Sequence, residues 1–120
     1  MKRLILETGM GTDLYGQDAT KAALRGVNDA IRHSSLTVFT ELGLDHMAMD
    51  VRVTVGVPNP ETLDTNRVAQ ELPRGRATVT AVKGGQHIPG SDGGPGAIVA
   101  TVGIEAFYPI DASEWTLSKR

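Results

Sequence analysis

Residues 97–107 carry Ile98, Val99, Ala100, Val102 and Ile104, so one extended stretch is apolar on both of its faces. A strand of that kind belongs inside a sheet, since a half-solvated strand alternates apolar with polar side chains. The rest of the chain must therefore supply neighbours for it and a layer to cover it. Val51, Val53, Val55 and Val57 alternate with Arg52, Thr54 and Gly56, which is the period of a half-buried strand. Ala77, Val79 and Ala81 alternate with threonines in another. Leu4, Ile5 and Leu6 form a short apolar run closed by Gly9 and Gly11, read as a first strand buried on both faces.

Helices fit between these strands. Asp18 is a good N-cap, and Ala23, Val27, Ala30 and Ile31 recur at helical spacing, which predicts a helix over 18–34. Gly26 inside it costs about 1 kcal/mol relative to alanine and points to a close packing contact. Pro58-Asn59-Pro60 stops the second strand and predicts a second helix, with Asn59 as N-cap and Pro60 at its first position, ending near Leu72 before Pro73. The stretch 35–40 fits either a short strand or a helical turn.

The resulting order is β-α-β-α-β-β. It predicts a two-layer α+β sandwich, a four-stranded mixed sheet with two helices on one face. Right-handed crossovers make the first three strands parallel, with the last antiparallel to them. Residues 1–110 form the domain and 111–120 a polar C-terminal tail, with Trp115 able to pin it to a surface. Two helices cover one face of such a sheet, so a second subunit is expected on the other, making the chain a homo-oligomer.

At 120 residues one domain is expected. The net charge of −2, with scattered Lys and Arg, argues against a nucleic-acid partner. With no cysteine, disulfides and thiolate chemistry are excluded, and a reducing compartment is suited. The apolar run at the N-terminus is too short for a signal core or a membrane span, so no membrane partner and a cytoplasmic location are expected.

The best candidate site is the segment 9–17, at the carboxyl end of a parallel strand, where open α/β sheets bind ligands. Gly9, Gly11 and Gly16 permit close backbone approach, and the following helix offers free N–H groups to a small-molecule ligand. Asp13 is the candidate acid/base, with Tyr15 and Gln17 orienting a carbonyl or amide. The simpler reading is a tight turn in which Asp13 caps local N–H groups. Lys21, Arg25 and Arg32 share a helix flank, which is either a solvated face or an anion clamp. The segment 84–96, with six glycines and two prolines, is a candidate lid over the site. It holds His87, a further candidate acid or base. His33, His46 and His87 show no ligand spacing, so neither a metal nor a cofactor is expected. Glu105 lies on the apolar last strand and requires a partner, Arg52 or a neighbouring subunit.

The segment Gly9-Met10-Gly11-Thr12-Asp13-Leu14-Tyr15-Gly16 resembles the G-x-G-x-D-x-H-G signature of the lin-type conserved hypothetical family. Residues 17–23 and 55–61 are also similar to it. Tyr15 stands where the family has histidine, which implies altered or lost activity if that histidine is catalytic in relatives. The element order also resembles the Bacillus chorismate-mutase-like fold, which includes trimeric reactive-imine deaminases. That resemblance implies a trimer or a multiple of one, with ligands between subunits. Together these point to a small-metabolite enzyme acting on C=O, C=N or amide groups, or to a non-catalytic binding or structural subunit.

Overall fold

The structure, a computed structural model, describes residues 2–32, 49–72 and 76–109. Strand β1 (Lys2–Asp13) leads to helix α1 (Ala19–Arg32) and strand β2 (Asp50–Val57). A 3-10 turn (Pro60–Thr62) and the short helix α2 (Thr65–Gln70) follow. Strand β3 (Arg76–Lys83), the three-residue β4 (Gln86–Ile88) and β5 (Ala97–Tyr108) complete the described chain. The fold is α+β, an open mixed sheet with two helices. The sheet has five strands rather than four, in the order β1-β5-β2-β3 with β4 also on β5.

The interior strand is the one its composition marked. β5 pairs antiparallel with β1 along one side and with β2 along the other, while β2 and β3 run parallel. Strands β1, β2 and β3 therefore share one direction, as right-handed crossovers require. Because Asp13 and Thr12 already flank Ile98 and Val99, β4 takes the other side of β5, in line with β2. Part of the expected glycine loop is thus strand, and the remaining turn spans 89–96.

The core lies on one face. Ile98, Ala100, Val102, Ile104 and Ala106 of β5 and the four valines of β2 are buried there beneath Ala22, Ala23, Val27 and Ala30 of α1 and Val68 of α2. Each such valine contributes roughly 1.5–3 kcal/mol over an exposed one. The opposite residues of β5, Val99, Thr101, Gly103 and Glu105, stay half-buried or exposed. Only one face of β5 is fully covered.

β1 departs most from expectation. It is an edge strand of twelve residues that runs straight through both glycines, with an irregularity between Arg3 and Ile5. Gly9 and Gly11 are buried because α1 lies directly on them. A Cβ on Gly11 would stand 2.3 Å from the Gly26 nitrogen, and one on Gly9 2.6 Å from the Ala30 nitrogen. Gly26 meets the sheet in return, its absent Cβ falling 2.7 Å from Val102 Cγ2. The contact inferred from Gly26 is a backbone-to-backbone seat between helix and strand.

Helix starts divide evenly. Asp18 caps α1, its Oδ1 accepting from the Lys21 N–H at 3.1 Å. Asn59 makes no capping bond and leads only into the 3-10 turn. The α2 cap is Asp64, whose carboxylate accepts from the Arg67 N–H at 3.0 Å. Among the described residues no helix is long and apolar enough to cross a membrane. The stretch 35–40, His33, His46 and the tail with Trp115 lie outside the described residues.

Candidate functional site

The β1–α1 connection is residues 14–18, since β1 extends to Asp13. Asp13 is the one buried charged residue among the described residues, 4% exposed at the end of an edge strand. Its Oδ2 accepts the Asp18 N–H at 2.9 Å, folding the connection back onto the strand. A Cβ on Gly16 would sit 2.7 Å from the same oxygen, so a larger residue here would displace this carboxylate. The Arg25 guanidinium lies 3.7 Å from Oδ1 and also donates to the Thr12 carbonyl. The Asp18 N–H holds the Asp13 carboxyl below its usual range; burial pushes it up, while Lys21, the Gly16 N–H and Arg25 lower it further. This is the geometry of a fixed carboxylate that ties a turn together.

Gln17 is strained. Its φ of 52° is the one positive value among the described non-glycine residues, a conformation most L-residues avoid. Its side chain reaches β4, placing Nε2 3.2 Å from His87 Nε2. The same imidazole nitrogen is 3.3 Å from the Pro95 carbonyl. Unprotonated, that nitrogen accepts from the Gln17 amide; protonated, it donates to Pro95. The two segments singled out in the sequence therefore meet through this pair.

Beside the pair lies a crevice of about 360 Å³. One wall is residues 16–19 at the start of α1, and the other is Pro58, Asn59 and Thr62 just past β2, with Ile98 supplying an apolar side. It lies outside the carboxyl ends of two parallel strands. Thr62 donates to the Asn59 carbonyl at 2.7 Å, and Thr20 Oγ1 accepts the Asp64 N–H at 2.9 Å, so the second wall is fixed to α1. The Asp13 and Asp18 carboxylates already occupy N–H groups at the α1 start.

The structure brings Asp13, Gly16, Gln17, Lys21 and His87 to this end of the molecule. It does not bring Gly9 and Gly11, whose open space is filled by α1. Tyr15, 81% exposed, does not line the crevice. Lys21 is exposed and contributes its charge to Asp13 rather than to a clamp with Arg32, which pairs with Asp29 at 3.3 Å. Asn59 and Thr62 were missed as site residues. The available signal was positional, since both follow a parallel strand as residues 14–18 do. Glu105 pairs with Arg3 at 3.2 Å, not with Arg52, which turns to Asp50. Among the described residues no group of three or more His, Asp or Glu side chains is placed to hold a metal ion.

None of the curated proteins matches the chain. A solved structure that is similar to it is an FtsZ-like protein of unknown function from Nostoc punctiforme PCC 73102. The two are 37% identical with a TM-score of 0.79, over 89% of this chain and 95% of that one. The family described as Conserved hypothetical protein (Lin0512_fam) matches residues 3–105. With a family match across most of its length and a relative of this identity, the chain belongs to the Lin0512_fam family of conserved hypothetical proteins.

Proposed function

We propose that the protein binds a small, neutral, polar molecule in the crevice between 16–19 and 58–62, with Asp13 shaping the site rather than reacting. The observation that carries this reading is the placement of the crevice outside the carboxyl ends of β1 and β2, where ligands of open α/β sheets collect. A neutral ligand fits because Asp13 and Asp18 already offset the positive end of α1, so an anion would meet carboxylate there. Asn59 and Gln17 offer amides that both donate and accept, suited to a ligand with amide, hydroxyl or carbonyl groups. The antiparallel β5 between parallel β1 and β2 supports the resemblance to the Bacillus chorismate-mutase-like class.

The Gln17–His87 contact favours a second reading, in which the site turns over a C=O or C=N group. His87 would then be the acid or base, because Asp13, held below the ordinary carboxylate range, is a weak base.

A thermal-shift screen of nucleosides, cyclic amides, imines, polyols, phosphate and sulfate tests both readings. A ligand at 100 times its Kd adds about 2.7 kcal/mol. Stabilisation by a neutral amide or hydroxyl compound, lost in Asn59→Leu, supports the binding reading. Stabilisation by phosphate or sulfate alone, or a hit unaffected by Asn59→Leu, overturns it. Turnover of a hit that His87→Ala abolishes supports the second reading.

A further inference from the structure

None of the described elements covers the sheet face turned away from the helices, and its register can be read row by row. Met10, Thr101, Gly56 and Val82 form one row across β1, β5, β2 and β3, and Thr8, Gly103, Thr54 and Thr80 form the next. Toward the other end, Leu6, Glu105, Arg52 and Thr78 are followed by Arg3, Phe107 and Asp50. Residues of these first two, uncharged rows line an open hollow of about 770 Å³, which Asp29 and Lys83 also border. Met10 and Val82 are 63% and 40% exposed at the hollow and Leu6, in the row of Glu105, 52%, an unusual cluster for a face that meets only water.

Gly103 lines this hollow, and none of the described residues explains it. Its φ is not positive, no register shift occurs at it, and a Cβ built on it meets none of the described residues within 4 Å. A glycine in a central strand weakens the strand, and its common reasons are a bulge, a tight bend or the close approach of something from outside. With no bulge at this residue, the open Cβ space favours close approach. Gly56, by contrast, is required within the chain, because its Cβ would meet Thr101 Oγ1 at 2.6 Å.

We propose that this face packs against a second copy of the same chain, with Gly103 at the point of closest approach. The charges favour self-association. Arg3 and Arg52 are set against Asp50 and Glu105 on one end of the face. Arg3–Glu105 and Arg52–Asp50 pair at 3.2 Å, and Arg52 lies 4.2 Å over the Phe107 ring. A face with both signs nearly balanced meets its own copy without net repulsion, whereas a strongly charged partner requires one sign in excess. The size also suffices. Four strands about 4.8 Å apart and eight residues long at about 3.3 Å each present roughly 500 Å², or roughly 1,000 Å² for two copies, the threshold of a specific interface.

Sedimentation velocity across micromolar concentrations tests this, on wild type, Gly103→Arg, Met10→Glu and the control Glu61→Lys on the 3-10 turn. The wild type and Glu61→Lys are expected to sediment as a dimer or larger. Gly103→Arg is expected to sediment as a monomer with an unchanged circular dichroism spectrum, since the new side chain enters open space. Met10→Glu, on an exposed side chain, should dissociate as well and covers the case in which Gly103→Arg fails to fold. A monomeric wild type overturns the proposal and leaves the face to another occupant. So does an assembly that survives both folded face variants, or one that Glu61→Lys breaks equally.

Discussion

The Gln17 amide nitrogen lies 3.2 Å from His87 Nε2, joining the turn after β1 to the β4 strand 70 residues later. Gln17 holds this contact from a left-handed backbone conformation, at φ 52°. The strain and the contact can be separated by substitution. Gln17→Gly relieves the backbone, a gain of about 1 kcal/mol that offsets the lost contact. Gln17→Val keeps the strain, adds β-branching and should cost about 1–2 kcal/mol. Thermal unfolding of the pair should place the glycine variant above the valine one; the reverse order would show that the left-handed backbone at residue 17 costs little, and the loss common to both variants reports the His87 contact.

The seat of α1 on β1 predicts a large cost at one atom. In Gly11→Ala the added methyl falls on the Ala22 carbonyl oxygen and 2.3 Å from the Gly26 nitrogen, both backbone groups that cannot rotate aside. Helix and strand must separate, at about 3 kcal/mol. Gly26→Ala meets the Val102 methyl instead and gains about 1 kcal/mol of helix propensity, so it should be milder. Denaturant midpoints at constant m-value check this order.

Asp13 predicts an acid-dependent stability. Its folded pKa lies below an unfolded value of about 3.9, so its contribution is complete above that value and disappears as pH falls through the folded pKa. Asp13→Asn should therefore cost about 2 kcal/mol at pH 7, chiefly from the lost charge-assisted Asp18 bond. The difference from wild type should narrow below about pH 4. Urea titrations at pH 7 and pH 3 measure it, and a gap that does not change with pH would rule out an ionised Asp13.

Asp64 and Asn59 separate stability from binding. Asp64→Ala removes the α2 cap and should cost about 1 kcal/mol. Asn59→Ala removes no cap and should leave unfolding within about 0.5 kcal/mol of wild type while weakening any crevice ligand. Calorimetric unfolding of both variants, with and without a ligand from the screen, checks this.

Periodicity and capping made much of the architecture legible because both are local. The valine alternation of 51–57, the helical recurrence after Asp18 and the apolar 97–107 stretch each identify an element within a few residues of sequence. Strand direction followed because right-handed crossovers leave little freedom. Distant pairings were less legible. A strand glycine that seats a helix looks in sequence like a turn glycine, so Gly9 and Gly11 were read as loop. Glu105 has Arg3 and Arg52 within reach on either side, and only the register with the ion-pair geometry shows that Arg3 takes it. The cap was read at Asn59 because Pro60 is a strong start signal, although it leads only to a 3-10 turn and Asp64 caps the helix. At the site, residues 16, 17 and 87 were found from chemistry, while Asn59 and Thr62 follow only from the neighbouring ends of β1 and β2.

The central position of β5 also governs how the chain can be made. Synthesis delivers β1, β2 and β3 first, yet β1 and β2 pair with β5 rather than with each other. Until about residue 108 leaves the ribosome, two strands have no bridge between them and their apolar faces lack a shared floor. Assembly of the sheet therefore waits for β5, and a chain cut before residue 97 leaves the β1 and β2 edges unjoined, open to pairing with other chains.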